Sequence, residues 1–217
     1  MMKLYALQAG VVDMDRNVFL PATPKGVRIQ APGLVFIIQH PKGNVMVDTG
    51  IDPQVYGDPQ KYWGGLARAF VPKGSDADGL VPRMKEAGFE PNDIRYVVNT
   101  HLHMDHAGGN RFLPQATFLL HRDELNIAPQ MEGNGYYRTD WNYPLDYKPV
   151  AGETDVFGDG SVRLVPLPGH TPGFLAVVLK MPHGLVVLAG DASPLADNLA
   201  GKIVARTDKD PAGTLRA

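Results

Sequence analysis

The chain has 217 residues, 44% of them hydrophobic and 20% charged, with a formal net charge of −2. That length and balance suit one folded unit with a sizeable core, so a single domain over residues 1–217 is expected. No basic stripe points to nucleic acid, no apolar run approaches the roughly 20 residues of a membrane span, and the absence of cysteine excludes disulfides and thiolate metal sites.

The opening "MMKLYALQAGVV" has a short apolar stretch, soon broken by Asp13, Asp15 and Arg16. It reads as a first β-strand and not as a signal peptide, which makes a cytoplasmic protein the default. "GLVFIIQ" (33–39) and "NVMVDTG" (44–50) flank "HPKG" and read as a hairpin of buried strands. A helix is expected from about Asp78 to Ala87, ended by Gly88. "DIRYVVNT" (93–100) reads as a strand that runs straight into a histidine-rich loop. "ATFLLH" (116–121), "SVRLVPL" (161–167), "FLAVVLKM" (174–181) and "GLVVLAGD" (184–191) read as further strands. Residues 122–160, rich in Gly, Tyr, Asn and Asp, read as a long, partly ordered loop excursion over one edge.

Two hairpins look alike. "VFIIQHPKGNVMVDTG" and "AVVLKMPHGLVVLAGD" share a Pro-x-Gly turn, and each carries an aspartate at its end, Asp48 and Asp191. They suggest two similar β-rich halves facing each other. Strands this uniformly apolar need cover on both faces. Two sheets packed together with helices outside is the economical arrangement.

The loop "THLHMDHAGG" (100–109) carries three of the seven histidines. In an extended segment His101 and His103 share one face. Asp105 and His106 follow where the chain turns, and Gly108 and Gly109 permit tight geometry there. Imidazole and carboxylate suit zinc, iron or manganese. Downstream, "PLPGHTPG" (166–173) places His170 after a strand, and "LAGDAS" (188–193) places Asp191 at the end of the next hairpin. His101, His103 and His170 are read as ligands of one metal, Asp105 and His106 as ligands of a second, with Asp191 bridging. Two metals about 3.5–4 Å apart can share a hydroxide and polarise a carbonyl or phosphoryl oxygen, which is hydrolytic machinery. Asp48 is expected to orient a ligand histidine or sit near the metal-bound water, or else to cap a strand-end turn with Thr49 and Gly50. His121 is expected to be structural, and His40 and His183 to be solvated in hairpin turns.

Taken in order, "VDTG" (47–50), "THLHMDHAGG" (100–109), "PGHTPG" (168–173) and "GDAS" (190–193) resemble the metallo-β-lactamase superfamily over nearly the whole chain. The resemblance implies an α+β fold, an αβ/βα sandwich of two mixed β-sheets with helices outside. "HLHMDHAGGN" (101–110), the spacing from His106 to His170, "DAS" (191–193) and the N-terminal excursion 16–34 are most similar to the N-acyl homoserine lactonases, the quorum-quenching branch. That similarity implies two divalent metal ions, zinc first with iron or manganese as alternatives. It also implies hydroxide attack on a small-molecule lactone or a related ester. Asp105 is further expected to handle the proton of the leaving oxygen.

Two departures stand out. Pro194 follows "DAS" where that group has a tyrosine, and no tyrosine occurs after Tyr147, so Tyr136, Tyr137 or Tyr143 are the candidates to replace it. The family closes with a further helix, a strand and a histidine of the second metal site, whereas no histidine follows His183 here. The chain is therefore expected to be truncated at its C-terminus with the second site incomplete. Alternatives of the same fold are a thioester, β-lactam or phosphoester hydrolase, or an inactive single-metal binding module. "VFLPA" (18–22) and "YWGGLARAF" (62–70) are either a substrate rim or a homodimer contact.

Overall fold

The computed structural model describes residues 2–216. Strands β1 (Lys3–Asp15), β2 (Arg28–Gln39), β3 (Asn44–Val47), β4 (Val71–Lys73), β5 (Ile94–Val98), β6 (Thr117–His121) and β7 (Asp146–Val150) form one sheet in the order β4-β1-β2-β3-β5-β6-β7. Strands β8 (Thr154–Asp155), β9 (Val162–Pro166), β10 (Leu175–Met181) and β11 (Gly184–Leu188) form a second, in the order β11-β10-β9-β8. The larger sheet is mixed. Its β4, β1, β2 and β3 pair antiparallel, and its β3, β5, β6 and β7 pair parallel. The smaller sheet is antiparallel at each described pairing, so of the two sheets expected to be mixed only one is. Its strands are joined by short returns, which lead back antiparallel and leave no room for a parallel crossover.

The two look-alike hairpins, β2–β3 and β10–β11, sit in facing sheets. Ile38, Val45, Val47, Val98 and Leu119 of the larger sheet pack against Val162, Leu164, Leu175, Val177 and Leu179 of the smaller. Burying each such side chain contributes about 1.5–3 kcal/mol. The pleat sends alternate residues to the other face. There Ile37, Met46, Val97 and Phe118 pack under Leu80 and Met84 of the helix Leu80–Glu86. That helix is shorter than expected, because residues 76–78 form a separate turn and Gly79 is extended. Gly88, at φ 82°, ends it as anticipated. Cover on both faces fails at β11, where Leu185 and Val187 are 67% and 55% exposed.

Residues 122–160 are built rather than wandering. They hold the helix Arg122–Ile127, the short helix Arg138–Trp141, and one edge strand of each sheet, β7 and β8. His121 has the structural role expected of it, its Nδ1 accepting from the Asp123 N–H at 3.2 Å to cap the helix. His183 is exposed, but His40 is half-buried and stacks on Phe157 at 4.0 Å, because its turn lies against the 155–161 loop. Among the described residues no helix is long and apolar enough to cross a membrane.

Candidate metal centre

The parallel pairing of β3, β5 and β6 brings their C-terminal ends side by side. Asp48 follows β3, Thr100 and His101 follow β5, and Glu124 lies just beyond β6. His170 comes from the β9–β10 connection, and Asp191 lies just past β11. The Leu175 N–H donates to the Thr100 carbonyl at 2.9 Å, tying the two sheets together at this point.

Two loops zip to hold the histidines. The Thr49 N–H donates to the His106 carbonyl at 2.7 Å and the Gly108 N–H to the Gly50 carbonyl at 2.9 Å. A Cβ on Gly108 would overlap the Asp52 nitrogen and stand 2.8 Å from the Ile51 carbonyl carbon, so the close approach requires glycine. Gly108→Ala is expected to lower stability by about 1–3 kcal/mol, measured by urea denaturation. An unchanged midpoint would mean that the loop shifts without penalty.

Two compact groups form within 4.8 Å, His101 with His103 and His170, and His101 with His106 and Asp191. His170 Nε2 stands 3.1 Å from His103 Nδ1 and 3.3 Å from Asp191 Oδ2. His106 Nε2 stands 3.4 Å from Asp191 Oδ1. Asp191 thus lies between the groups, presenting one oxygen to each. Asp105 stands farther off, 3.8 Å from His106 Nε2, and His101 takes its place in the second compact group.

The donor set fits a divalent cation. His101 is fully buried; its Nδ1 meets Thr100 Oγ1 at 3.0 Å, and its Nε2 is buried without a partner. An unsatisfied buried nitrogen costs about 1–3 kcal/mol, and native interiors leave few of them. A cation would satisfy it. Burial, reinforced by the neighbouring imidazoles, pushes His101 and His103 well below the ordinary histidine pKa, which leaves neutral rings with free lone pairs. Burial opposes charge on His106, but Asp191, Asp105 and Asp48 outweigh it and hold the pKa well above the ordinary value. Burial likewise opposes charge on Asp191, yet His106 and His170 hold it below the usual carboxylate range. Desolvation raises Asp105, against the pull of His106. The neutral imidazoles of His101 and His103 beside carboxylates are the hard-to-borderline donors that zinc, iron and manganese take.

A supporting ring surrounds these groups. Asp48 accepts from the Thr100 N–H and Oγ1–H, each at 2.8 Å, and meets His106 Nδ1 at 2.8 Å. Of the alternatives expected for it, the structure has the contact with a histidine. Its φ of 58° lies in the left-handed region, which costs a non-glycine residue about 1–2 kcal/mol, and those contacts hold it there. Glu124 and Asp208 were not signalled by the sequence. Glu124 is fully buried and accepts from the Leu102 N–H at 3.0 Å, Tyr136 Oη at 2.7 Å and Thr171 Oγ1 at 2.8 Å. Asp208 Oδ1 stands 3.0 Å from His170 Nδ1. These contacts join residues 22 and 38 positions apart, beyond the reach of any local motif.

A cavity of about 680 Å³ opens above the cluster, with His103, Asp105, His106, His170 and Asp191 among its lining residues. Met14, Phe19, Ile29, Phe36, Leu66 and Phe70 form apolar wall. The segments 18–22 and 62–70 therefore contribute to the rim of a cavity. Tyr136, Tyr137 and Tyr143 do not line it; their hydroxyls go to Glu124, the Trp63 carbonyl and the Thr139 carbonyl.

Residues 29–215 match a family model described as the metallo-beta-lactamase superfamily. The N-acyl homoserine lactonase AttM of Rhizobium radiobacter is 32% identical over 194 residues, which cover 86% of this chain and 74% of that relative. An N-acyl homoserine lactonase of Bacillus cereus is 29% identical over 204 residues, 93% of this chain and 80% of its own length. A solved structure of an N-acyl homoserine lactone hydrolase, with the product N-hexanoyl-L-homoserine bound at its catalytic metal centre, superimposes with a TM-score of 0.88 at 28% identity. That match covers 99% of this chain and 84% of the other.

Proposed function

The chain belongs to the metallo-beta-lactamase superfamily, and on that premise we propose that it is a metal-dependent hydrolase that opens a lactone ring. The observation that carries the reading is a histidine cluster, with one buried nitrogen left unpartnered, at the base of an apolar-walled cavity. Relatives named for N-acyl homoserine lactones favour a lactone with an acyl chain, and the apolar wall suits such a chain.

His101, His103 and His170 would hold one divalent ion. His101 Nε2 has one lone pair to give, so a second ion is left with His106, Asp191 and Asp105. Zinc is the first choice, with iron or manganese as alternatives. Bound metal supplies Lewis-acid polarisation of the carbonyl and a lowered pKa for water.

The chain's own residues do the rest. Phe19, Phe36 and Phe70 seat the acyl chain and exclude water from the apolar side of the cavity. Asp48 holds His106 by its Nδ1, and Thr100 holds His101 by its Nδ1. The oxygen of water bonds to the carbonyl carbon, the ring C–O bond breaks, and the ring oxygen leaves as a hydroxyl. Asp105, which lines the cavity, passes a proton of the attacking water to that oxygen. The product is an open-chain hydroxy acid.

The test is metal content per chain on protein purified without chelator, alongside turnover of a panel of lactones, aryl esters, thioesters and phosphoesters. Bound metal with lactone opening is the expected result. Bound metal with turnover of another ester class and none of lactones would overturn the substrate reading.

A further inference from the structure

We infer that Asp208 is a positioning residue that sets the tautomer and aim of His170, an inference that rests on the metal-centre reading above. Its carboxylate Oδ1 stands 3.0 Å from His170 Nδ1, and both side chains are buried, 1% and 2% exposed. The opposite nitrogen, Nε2, is the one that faces His103 at 3.1 Å and Asp191 at 3.3 Å. A carboxylate is an acceptor, so it fixes the proton on Nδ1 and leaves the Nε2 lone pair directed into the cluster.

The same device occurs once more in the centre. His106 meets Asp48 through Nδ1 at 2.8 Å and turns Nε2 toward Asp191 at 3.4 Å. Asp208 therefore stands to His170 as Asp48 stands to His106, although it comes from a segment that carries no recognisable motif. That segment is anchored directly on the histidine loop. The Lys209 N–H donates to the Gly169 carbonyl at 3.0 Å and reaches the His170 carbonyl at 3.3 Å, and the Asp210 N–H donates to the Gly169 carbonyl at 2.9 Å. Gly169 has no space for a Cβ, which would stand 2.6 Å from the Thr214 nitrogen. Asp210, two residues on, is not an equivalent candidate, since its carboxylate faces Arg216 at the surface, 3.5 Å away. A carboxylate behind a ligand histidine supports metal affinity by about 10–100-fold.

The full-length chain is compared as wild type, Asp208→Asn, Asp208→Glu and His170→Ala. Zinc affinity is measured by competition with a chromophoric chelator, metal-free melting is recorded for each, and the histidine tautomers are read from long-range 1H–15N spectra of the metal-free wild type. His170, assigned by its loss in His170→Ala, is expected to carry its proton on Nδ1. Asp208→Asn is expected to bind zinc about 10–100-fold more weakly while melting near the wild type, and Asp208→Glu to recover part of the loss. A proton on Nε2, or wild-type zinc affinity in Asp208→Asn, would overturn the inference. If Asp208→Asn does not fold, the wild-type tautomer decides alone. A wild type that binds no zinc sinks the metal-centre reading and this inference with it, whereas a zinc-binding wild type matched by Asp208→Asn sinks only this one.

Discussion

Replacing His101 by alanine is expected to cut lactone turnover by at least about a thousandfold, a loss of about 4 kcal/mol of transition-state stabilisation. Two observations single out this residue among the histidines. It belongs to both compact groups. Its Nδ1 is already engaged by Thr100, while its Nε2 is buried and unpartnered. Nothing in the protein alone rewards that nitrogen, so the metal-free variant is expected to melt below the metal-free wild type only by what the buried ring's packing and its Thr100 contact contribute. The two should part further when zinc is added, because a ligand that binds only the folded state stabilises by RT ln(1 + [L]/Kd). Melting curves with and without zinc, beside lactone kinetics, make the check. A variant that keeps its turnover and its zinc-dependent rise in Tm would remove His101 from the centre.

Glu124→Ala is expected to cost about 3–5 kcal/mol of stability, which is exceptional for one substitution. The carboxylate satisfies three buried donors from three separate segments, the Leu102 N–H, Tyr136 Oη and Thr171 Oγ1. Removing it strands all three, at about 1–3 kcal/mol each, with some recovered by relaxation. Glu124→Gln keeps an acceptor oxygen but turns an NH2 toward groups that donate, so an intermediate loss is expected. Glu153→Ala makes the contrast. Its partner Arg163 and Glu153 itself are both exposed, and a change within about 0.5 kcal/mol is expected there. Urea denaturation of the three variants reads the difference. A Glu124→Ala loss below about 1 kcal/mol would mean that repacking or water replaces the carboxylate. Leu102 lies between His101 and His103, so the same substitution is also expected to loosen the ligand loop.

The histidine loop was legible because its chemistry is local. Imidazoles and a carboxylate crowd "HLHMDH", and the glycines behind them mark a backbone contact that proves to be with Gly50 and Asp52. The central strands were legible because their buried stretches are apolar runs, as in residues 35–38 of β2 and 175–179 of β10. The edge strands β7 and β8 were not. β7 reads "DYKPV", with a proline and two charges that an edge tolerates, and β8 is two residues long. Their pairing depends on β6 and β9 rather than on any pattern of their own. The short helices Arg122–Ile127 and Arg138–Trp141 failed to show for a similar reason, since six and four residues give too few turns for a period to appear. Glu124 and Asp208 were invisible because each owes its place to a partner far along the chain. A lone acidic residue in a polar stretch carries no sign of what it will touch.

The centre is shared between two layers, and that sharing orders its assembly in time. His103 and His170 lie 67 residues apart in the chain, one after a strand of the larger sheet and the other between strands of the smaller. A nascent chain that has not yet reached His170 offers only part of the proposed set, so an ion held by the whole set would be captured late. An ion seated there would act as a clasp across the sandwich. A clasp formed after the sheets have met would leave the speed of their meeting unchanged and lengthen the time before they part.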